Sequence, residues 1–327
     1  METRRLDADR MGIAEAAALL AAGRLVAFPT ETVYGLGADA GDEHAIAALY
    51  AAKGRPARNP LIVHLPDAEW AMAFGDLGEL GERLATAFWP GPLTLVAPRR
   101  ADDGLAAAVV AGGASVGLRV PAHPVAYALL SAVGRPVAAP SANPSGRVSP
   151  TEAAHVLDPA AGLGGRIDAV LDAGACPVGV ESSIVAIEGD DMRLLRPGGI
   201  APEALEAVAG RPLAPAPASE GQGPLAAPGL MASHYAPAAR LRLNADAPRP
   251  GEGWLDFGAS LPDAAAPAED LSPEADLAEA AMRLFGALRR LDRVVGPGGA
   301  IAVARVPDIG LGCAINDRLR RAAAPRG

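Results

Sequence analysis

Short apolar runs alternate with amphipathic stretches along the first two-thirds of the chain, which predicts strands and helices that follow one another. The predicted strands lie at residues 24–28, 61–63, 93–96, 116–120, 136–139, 183–187 and 192–195, the last two as an adjacent pair. The predicted helices lie at residues 13–22, 43–52, 77–88 and 124–133. This alternation indicates an α/β fold, and the irregular connections favour a mixed, twisted open sheet covered by helices.

The pattern changes near residue 211, where proline and glycine become frequent and predict a linker over residues 211–238. Beyond it the alternation returns, with predicted strands at 240–243, 254–257 and 301–304 and predicted helices at 275–294 and 314–323. These elements predict a second, smaller Rossmann-like α/β domain. The predicted division is therefore a first domain at 1–210, the linker, and a small domain at 239–327.

Composition narrows the class of protein. Half of the 327 residues are hydrophobic and 20% are charged, which excludes a disordered or fibrous chain. The net charge of −9 argues against a surface that binds nucleic acid over its whole extent, so any RNA contact must be local. Cys176 and Cys313 cannot form a disulfide framework, and no signal peptide or membrane-spanning apolar run is visible. We therefore expect a cytoplasmic protein with no membrane association.

The positive charges are almost all of one type. The chain has 28 arginines, and Lys53 is its single lysine. Arginine presents a planar fork of donors, whereas lysine presents a compact ammonium with three rotatable donors. A chain that uses arginine elsewhere is expected to retain lysine where the compact group is needed, so we predict a functional role for Lys53.

Several common catalytic motifs are absent from the sequence. The single lysine follows Ala52, which excludes a P-loop, and no dinucleotide-binding glycine pattern or metal-binding histidine or cysteine pair occurs. Residues 113–117 match the nucleophile-elbow pattern, but a predicted strand follows the serine where that motif requires a helix. We therefore reject the hydrolase interpretation and keep Ser115 as a hydroxyl donor in a glycine-flanked turn.

Four polar segments follow apolar strands, at the kind of position where α/β proteins bind ligands. They span residues 29–37, 53–60, 140–146 and 195–199. Lys53, Arg55 and Arg58 fall in the second segment and favour a phosphate site. No carboxylate pair or histidine triad lies among the four segments. This indicates chemistry by positioning and charge neutralisation, as in nucleotidyl transfer.

Together and in this order, the polar segments resemble the YrdC-like domain of the threonylcarbamoyl-AMP synthases over residues 12–210. The stretches that carry the resemblance are 28–37, 53–56, 59–64, 89–94, 117–121, 141–146, 181–185 and 195–198. The remainder resembles the C-terminal domain of the long, two-domain form, through residues 228–231, 234–237, 284–292 and 310–319.

The resemblance implies that L-threonine, bicarbonate or CO2, and ATP are joined into threonylcarbamoyl-AMP with release of pyrophosphate. This is the first step of N6-threonylcarbamoyladenosine formation in tRNA. The product would pass to a tRNA threonylcarbamoyl transferase complex, with at most a weak, local contact between this chain and tRNA. Mg²⁺ would enter bound to the ATP phosphates, without protein ligands of its own.

The resemblance also implies roles for individual residues. Lys53 and Arg55 are implied as catalytic, because they would neutralise the triphosphate. The ATP-binding set is Lys53, Arg55, Asn59, Ser115, Ser141, Asn143, Arg196 and Tyr235. The threonine-binding set is Thr30, His64, Arg119, Ala139 and Ser182. Arg119 suits the threonine carboxylate because a guanidinium can grip it with two parallel hydrogen bonds, and His64 is expected to act as a neutral donor.

Residues 211–238 are expected to form a lid that reaches back over the nucleotide through Tyr235 and excludes water from an unstable product. Two alternatives remain open at this point. One is an RNA-binding module, which the negative net charge and the scarcity of aromatic residues near the cations disfavour. The other is a nucleotide sensor that keeps the pocket without turnover.

Overall fold

A ten-stranded mixed sheet forms the centre of the first part of the chain. The structure, a computed structural model, describes residues 2–189, 191–214, 233–259 and 267–325. The strand order is β1-β8-β2-β3-β7-β4-β6-β5-β9-β10. The strands are β1 Arg4–Asp7, β2 Val26–Phe28, β3 Gly35–Asp39, β4 Ile62–His64, β5 Leu93–Pro98, β6 Ser115–Arg119, β7 Val137–Ala138, β8 Ala169–Asp172, β9 Ser183–Glu188 and β10 Asp191–Arg196. Parallel and antiparallel pairs alternate irregularly, which confirms the predicted mixed sheet.

Helices cover both faces of this sheet. They are α1 Arg10–Ala21, α2 Glu43–Lys53, α3 Ala68–Phe74, α4 Gly78–Phe88, α5 Pro124–Val133, α6 Ala153–Leu157 and α7 Pro202–Ala209, with a 3-10 turn at Ala107–Val110. One apolar cluster joins α1 and α5 to one side of the sheet, and a larger cluster joins α2, α4 and α7 to the other. The predicted helices all appear within a few residues of their expected ends.

Local signals explain why α2 begins and ends where it does. The Asp42 side chain accepts hydrogen bonds from the backbone of His44 and Ala45, which satisfies free N–H groups at the helix start. Gly54 ends the helix in the left-handed conformation, with φ of 59°. Lys53 is therefore the last helical residue, and the polar segment 53–60 follows a helix and not a strand as predicted.

The glycines of the polar segment at 29–37 predict a turn up to residue 37, and this is wrong for its last three residues, because β3 begins at Gly35. A side chain at Gly37 would place its Cβ 3.0 Å from Cε1 of Phe28 and 3.2 Å from Cγ1 of Val137. Glycine here is required by close packing between neighbouring strands, not by a bend. Ser115 likewise begins β6 instead of lying in the predicted turn.

A second, all-parallel sheet forms the core of the C-terminal part, in the order β11-β14-β12-β13. Its elements are β11 Arg240–Arg242, β12 Glu252–Asp256, β13 Ala268–Asp270, α8 Leu277–Val295, β14 Ala300–Val303 and α9 Gly312–Ala323. Their buried core confirms the predicted smaller α/β domain. The exact domain boundaries stay a prediction, and residues 215–232 of the predicted lid lie outside the described residues.

The two domains pack directly against each other. Val33, Val148 and Val180 of the first part belong to the same apolar cluster as the core of the second. Gly179 approaches α8 so closely that a Cβ there would lie 2.3 Å from Cα of Met282. The second domain therefore contacts the segments that lead into the candidate site. Among the described residues, no helix is long and apolar enough to cross a membrane.

Both cysteines are free thiols, as the sequence predicted. Cys176 is 1% exposed, and burial raises the pKa of its thiol to about 12. We expect thiol titration of the unfolded, unreduced protein to find two reactive groups, whereas the native protein should react quickly at no more than Cys313. A protected pair after unfolding would contradict this prediction.

Candidate functional site

The candidate site is a buried pocket over one face of the large sheet. Ile62 and His64 point to the same face because they are two residues apart on β4. Arg119 of β6 pairs in register with His64 and lies beside it. Nine predicted site residues line the pocket: Thr30, Arg55, His64, Arg119, Ala139, Ser141, Ser182, Arg196 and Tyr235. The fold thus brings together residues that span more than two hundred positions of sequence.

Four predicted residues lie outside the pocket wall. Lys53 and Asn143 are buried directly behind it, as described below. Asn59 is fully buried, and its carbonyl accepts a hydrogen bond from Nε of Arg55 at 3.1 Å. Ser115 pairs with Pro98 at the start of β6, at the opposite end of that strand from Arg119. The structure therefore places three of these four residues behind the pocket wall, where they support it, and places Ser115 away from the pocket.

Arg119 forms a buried ion pair. Its Nη2 donates to Oε1 of Glu31 and to the Thr32 hydroxyl, both at 2.8 Å. Its Nε and the second Glu31 oxygen are buried without hydrogen-bond partners. A buried polar atom without a partner is costly and is common at ligand sites. The Arg119 guanidinium thus retains donor capacity inside the pocket, although Glu31 already occupies part of it.

His64 is neutral in this setting. Burial and the neighbouring Arg119 charge lower the pKa of the imidazole to about 3. Its Nδ1 lies 3.1 Å from the Ile62 carbonyl, so in the neutral ring this nitrogen donates to the backbone. The ring's one N–H group therefore donates to a protein carbonyl and not to a ligand as predicted, and Nε2 remains as a hydrogen-bond acceptor.

Thr30 and Ser182 are both held by neighbours. The Thr30 hydroxyl donates to the Val33 carbonyl at 2.7 Å and closes its own turn. Arg196 donates from Nε and Nη2 to the Ser182 carbonyl, at 3.2 and 3.0 Å, and from Nη2 to the Ser182 hydroxyl at 3.1 Å. Burial lowers the pKa of the Arg196 guanidinium. This arrangement keeps the Arg196 cation in the lining of the pocket, which Arg119 also lines.

Lys53 holds the turn at 141–145 from behind. Its ammonium donates to the carbonyls of Ser141 and Asn143, both at 2.5 Å, and its own carbonyl accepts from the Ser145 backbone at 2.8 Å. The Asn143 amide donates to the Pro144 and Arg147 carbonyls at 2.9 Å. Burial, followed by the charge of Arg55, lowers the pKa of Lys53. Lys53 therefore shapes the loop that presents Ser141 to the pocket.

His234 and Tyr235 cover the pocket from the side of the linker. The Tyr235 backbone has a φ of 60°, a strained value for a residue of this size. Its ring stacks on Phe285 of α8 with centroids 5.8 Å apart, and its hydroxyl is buried without a partner. Burial lowers the pKa of His234 to about 3. The second domain therefore holds this pair against the site.

Sequence reasoning missed two acidic residues of the site, Glu31 and Glu181, and gave His234 a place in the lid but no binding role. Each lies next to a predicted residue, so its position in the motif was visible, although its role was not. Glu181 lines the pocket beside Ser182 and accepts from the Ser149 hydroxyl at 2.5 Å and from Arg318 at 2.8 Å. The three arginines and Lys53 make the site cationic within an acidic chain.

The buried histidines predict how stability depends on pH. The folded-state pKa values of His64 and His234 are about 3 and that of His155 is about 4, all below the ordinary value of about 6.5. At a pH between these folded-state values and 6.5, the three histidines bind more protons in the unfolded chain than in the folded protein. The free energy of unfolding therefore falls as pH is lowered from 6.5. We expect a lower melting temperature at pH 5 than at pH 7.

A matched pair of variants tests this dependence. Each histidine contributes a slope of up to about 1.4 kcal/mol per pH unit. His64→Gln should reduce the dependence of stability on pH, while His44→Gln, at an exposed position on α2, should leave it unchanged. Equal slopes for the two variants would contradict the assignment.

Two family models together cover most of the chain. The Sua5/YciO/YrdC model, whose description is telomere recombination, matches residues 18–198. A model described as the C-terminal domain of threonylcarbamoyl-AMP synthase matches residues 200–324. The threonylcarbamoyl-AMP synthase of Bacillus subtilis (strain 168) is 40% identical over an alignment of 329 positions, which covers 96% of this chain and 93% of the relative.

Solved structures of Sua5 from Pyrococcus abyssi match over almost the whole chain. The crystal structure of that protein complexed with L-threonine has a TM-score of 0.87 and 36% identity, covering 99% of this chain and 98% of the other. The H234A/Y235A variant of the same protein has a TM-score of 0.86 and 36% identity, covering 98% and 96%.

Proposed function

This chain belongs to the Sua5/YciO/YrdC family, in the form that carries the C-terminal domain of threonylcarbamoyl-AMP synthase, and from this premise we propose its reaction. The chain acts as a nucleotidyltransferase that joins L-threonine, bicarbonate or CO2, and ATP into threonylcarbamoyl-AMP and pyrophosphate. The observation that carries this proposal is one pocket lined by a neutral histidine beside Arg119 and also by Arg55 and Arg196, whose charges act on each other.

The chemistry begins at the amine of threonine. The uncharged amine adds to CO2 and gives a carbamate, and the proton lost from nitrogen leaves to solvent. A carbamate oxygen then attacks the α-phosphate of ATP, a new oxygen–phosphorus bond forms, and the bond to pyrophosphate breaks. Both anionic reactants repel one another, so the protein's contribution is to align them and neutralise their charge.

The threonine side of the pocket is built around Arg119 and His64. Arg119 supplies charge-assisted donors to the carboxylate, which is stronger than a neutral hydrogen bond. The Nε2 acceptor of His64 would orient the amine through one of its N–H groups. With a pKa of about 3, His64 is a weak base, so we assign it a role in orienting the threonine amine and not in general-base catalysis.

The nucleotide side is built around Arg55 and Arg196. Nη2 of Arg55 donates to the Pro60 carbonyl at 2.7 Å, which fixes the guanidinium at the pocket wall. Burial lowers the pKa of Arg55 to about 10, so it remains charged near pH 7. The loop held by Lys53 would present Ser141 to the phosphates, and Tyr235 would cover the nucleotide.

Mg²⁺ fits this arrangement as a companion of ATP. In the described part of the chain, no group of three or more histidine, cysteine, aspartate or glutamate side chains could hold a metal ion. Phosphate oxygens and water are common ligands of Mg²⁺, and the ion would lower the charge of the triphosphate.

The adenylate product is an unstable mixed anhydride, so we propose direct transfer to a tRNA threonylcarbamoyl transferase complex, with only local contact between this chain and tRNA.

Incubation of the protein with L-threonine, bicarbonate and ATP-Mg²⁺, followed by mass analysis, tests the proposed reaction. We expect threonylcarbamoyl-AMP and pyrophosphate in equal amounts, with loss of both when any one substrate is omitted. ATP binding without adenylate would indicate a sensor instead. Duplex RNA affinity that survives without ATP, in the absence of product formation, would indicate an RNA-binding module.

A further inference from the structure

We propose that Arg318, a residue of the second domain, positions the nucleotide side of the active site. It does so by holding Glu181, the Pro197 carbonyl and the Tyr235 ring in one fixed arrangement. The proposal rests on the function proposed above for the same pocket. It assigns the C-terminal domain a part in catalysis beyond that of an anchor.

Three contacts of Arg318 lead to the pocket, and a fourth is an ion pair with its neighbour Asp317, whose Oδ2 accepts from Nη1 at 2.8 Å. Its side chain is 0% exposed. Nε donates to Oε2 of Glu181 at 2.8 Å, and Nη1 donates to the Pro197 carbonyl at 2.7 Å. The guanidinium carbon lies 5.1 Å from the centroid of the Tyr235 ring. Glu181 and Tyr235 line the pocket, and Pro197 directly follows Arg196.

Arg318 leaves Arg196 available to the substrate. Both oxygens of Glu181 are occupied, one by Arg318 and the other by the Ser149 hydroxyl. Burial alone would raise the pKa of Glu181, but the charges of Arg318 and Arg196 and the Ser149 hydrogen bond together lower it. If Arg318 were absent, the buried Glu181 carboxylate would draw the Arg196 guanidinium toward itself and away from Ser182.

A purely structural role does not explain this choice of residue. Replacing a buried ion pair by apolar residues of similar volume is often neutral or stabilising. The interface already contains apolar side chains such as Val33, Val180 and Phe285. A buried guanidinium that binds three separate parts of the pocket is therefore better explained by orientation of those parts. Arg318 is a positioning residue, because no contact with substrate is required for this role.

The test compares Arg318→Met with Arg320→Met in the full-length protein. Arg320 lies on the same helix, α9, but its side chain is 58% exposed and far less constrained. Steady-state pyrophosphate release gives kcat and both KM values, and calorimetry gives the affinity for ATP without threonine. We expect Arg318→Met to weaken ATP binding and raise the KM for ATP by roughly 10- to 100-fold, in line with the cost of misplacing a site by about 1 Å.

A rise in the KM for ATP without a matching rise in the KM for threonine distinguishes a positioning role of Arg318 from a general loss of stability. The KM for threonine in Arg318→Met should stay within about twofold, because none of the Arg318 contacts described above reaches the proposed threonine-binding residues Arg119 and His64. Arg318→Lys should lie between wild type and Arg318→Met, since it keeps the charge but loses the planar fork whose Nε and Nη1 donate to Glu181 and Pro197 from two fixed points. Unchanged KM values in a folded Arg318→Met protein, or equal rises in both, would overturn the proposal.

A double variant covers the case in which Arg318→Met fails to fold. Combining it with Glu181→Gln removes the uncompensated buried charge and is expected to restore folding. The double variant should then bind ATP more weakly than Glu181→Gln alone, and equal binding by the two would overturn the proposal. Wild-type protein that binds ATP but forms no adenylate would defeat the proposed function, while the calorimetric comparison would still decide the role of Arg318.

Discussion

Exchange of Lys53 for arginine is expected to lower the rate of pyrophosphate release on the order of 100-fold, although the substitution keeps the charge. The ammonium of Lys53 sits between two carbonyls of the turn at 141–145 and is 3% exposed. A guanidinium is larger and planar, so it cannot donate to both carbonyls from the same place. The turn, and with it Ser141, would shift relative to the phosphates.

Comparison with Lys53→Met identifies the reason for the loss. Methionine removes the charge and the hydrogen bonds together. If charge alone mattered, the arginine variant would be far more active than the methionine variant, whereas a positioning role predicts that both are similarly poor. Arg10→Lys, at an exposed position in α1, serves as the control for exchange between the two cations. Near-wild-type turnover of Lys53→Arg would disprove the prediction.

Loss of Arg119 is expected to raise the KM for threonine roughly 10- to 100-fold and to change the KM for ATP far less. A charge-assisted hydrogen bond to a carboxylate contributes about 1.5–3 kcal/mol. Arg119→Ala also leaves Glu31 buried without its partner, so Arg119→Lys should be measured beside it. The lysine variant keeps a charge next to Glu31 but loses the geometry of the fork.

Threoninamide offers an independent measurement of the same contact. It lacks the carboxylate, so wild-type enzyme should use it poorly, and Arg119→Ala should discriminate much less between threonine and its amide. Arg135→Ala is the matched control, because Arg135 also pairs with a carboxylate, that of Asp39 at 2.9 Å, but does not line the pocket. Equal changes in the KM values for threonine and ATP would place Arg119 on the nucleotide side.

The sequence alone predicted the type of fold, because the spacing and composition of hydrophobic residues indicate directly which positions are buried. The helix at 124–133 was predicted to the residue, since Pro124 starts it and Gly134 ends it. β3 was missed because glycine is normally a sign of a turn, and the close packing of Phe28 against Gly37 depends on how strands are paired. Strand pairing is a tertiary property that a local pattern does not contain.

The same distinction applies to the candidate site. Arg119, Arg196 and His64 were predicted from local motifs and lie together in the pocket. The contact between Glu181, just before β9, and Arg318, on α9, joins residues 137 positions apart, so no spacing rule reveals it. The role of Lys53 was predicted only in part, since its ammonium binds the backbone of a loop that the sequence places nearly ninety residues away.

The buried single lysine also determines how this protein responds to labelling reagents. Succinimidyl esters react with free amines, and Lys53 is both enclosed and engaged by two carbonyls. In the native state such a reagent should therefore leave Lys53 unmodified and attach at most one dye per chain, at the terminal amine. Appearance of a second dye would report opening of the loop at 141–145, which makes labelling stoichiometry a simple probe of that loop's integrity.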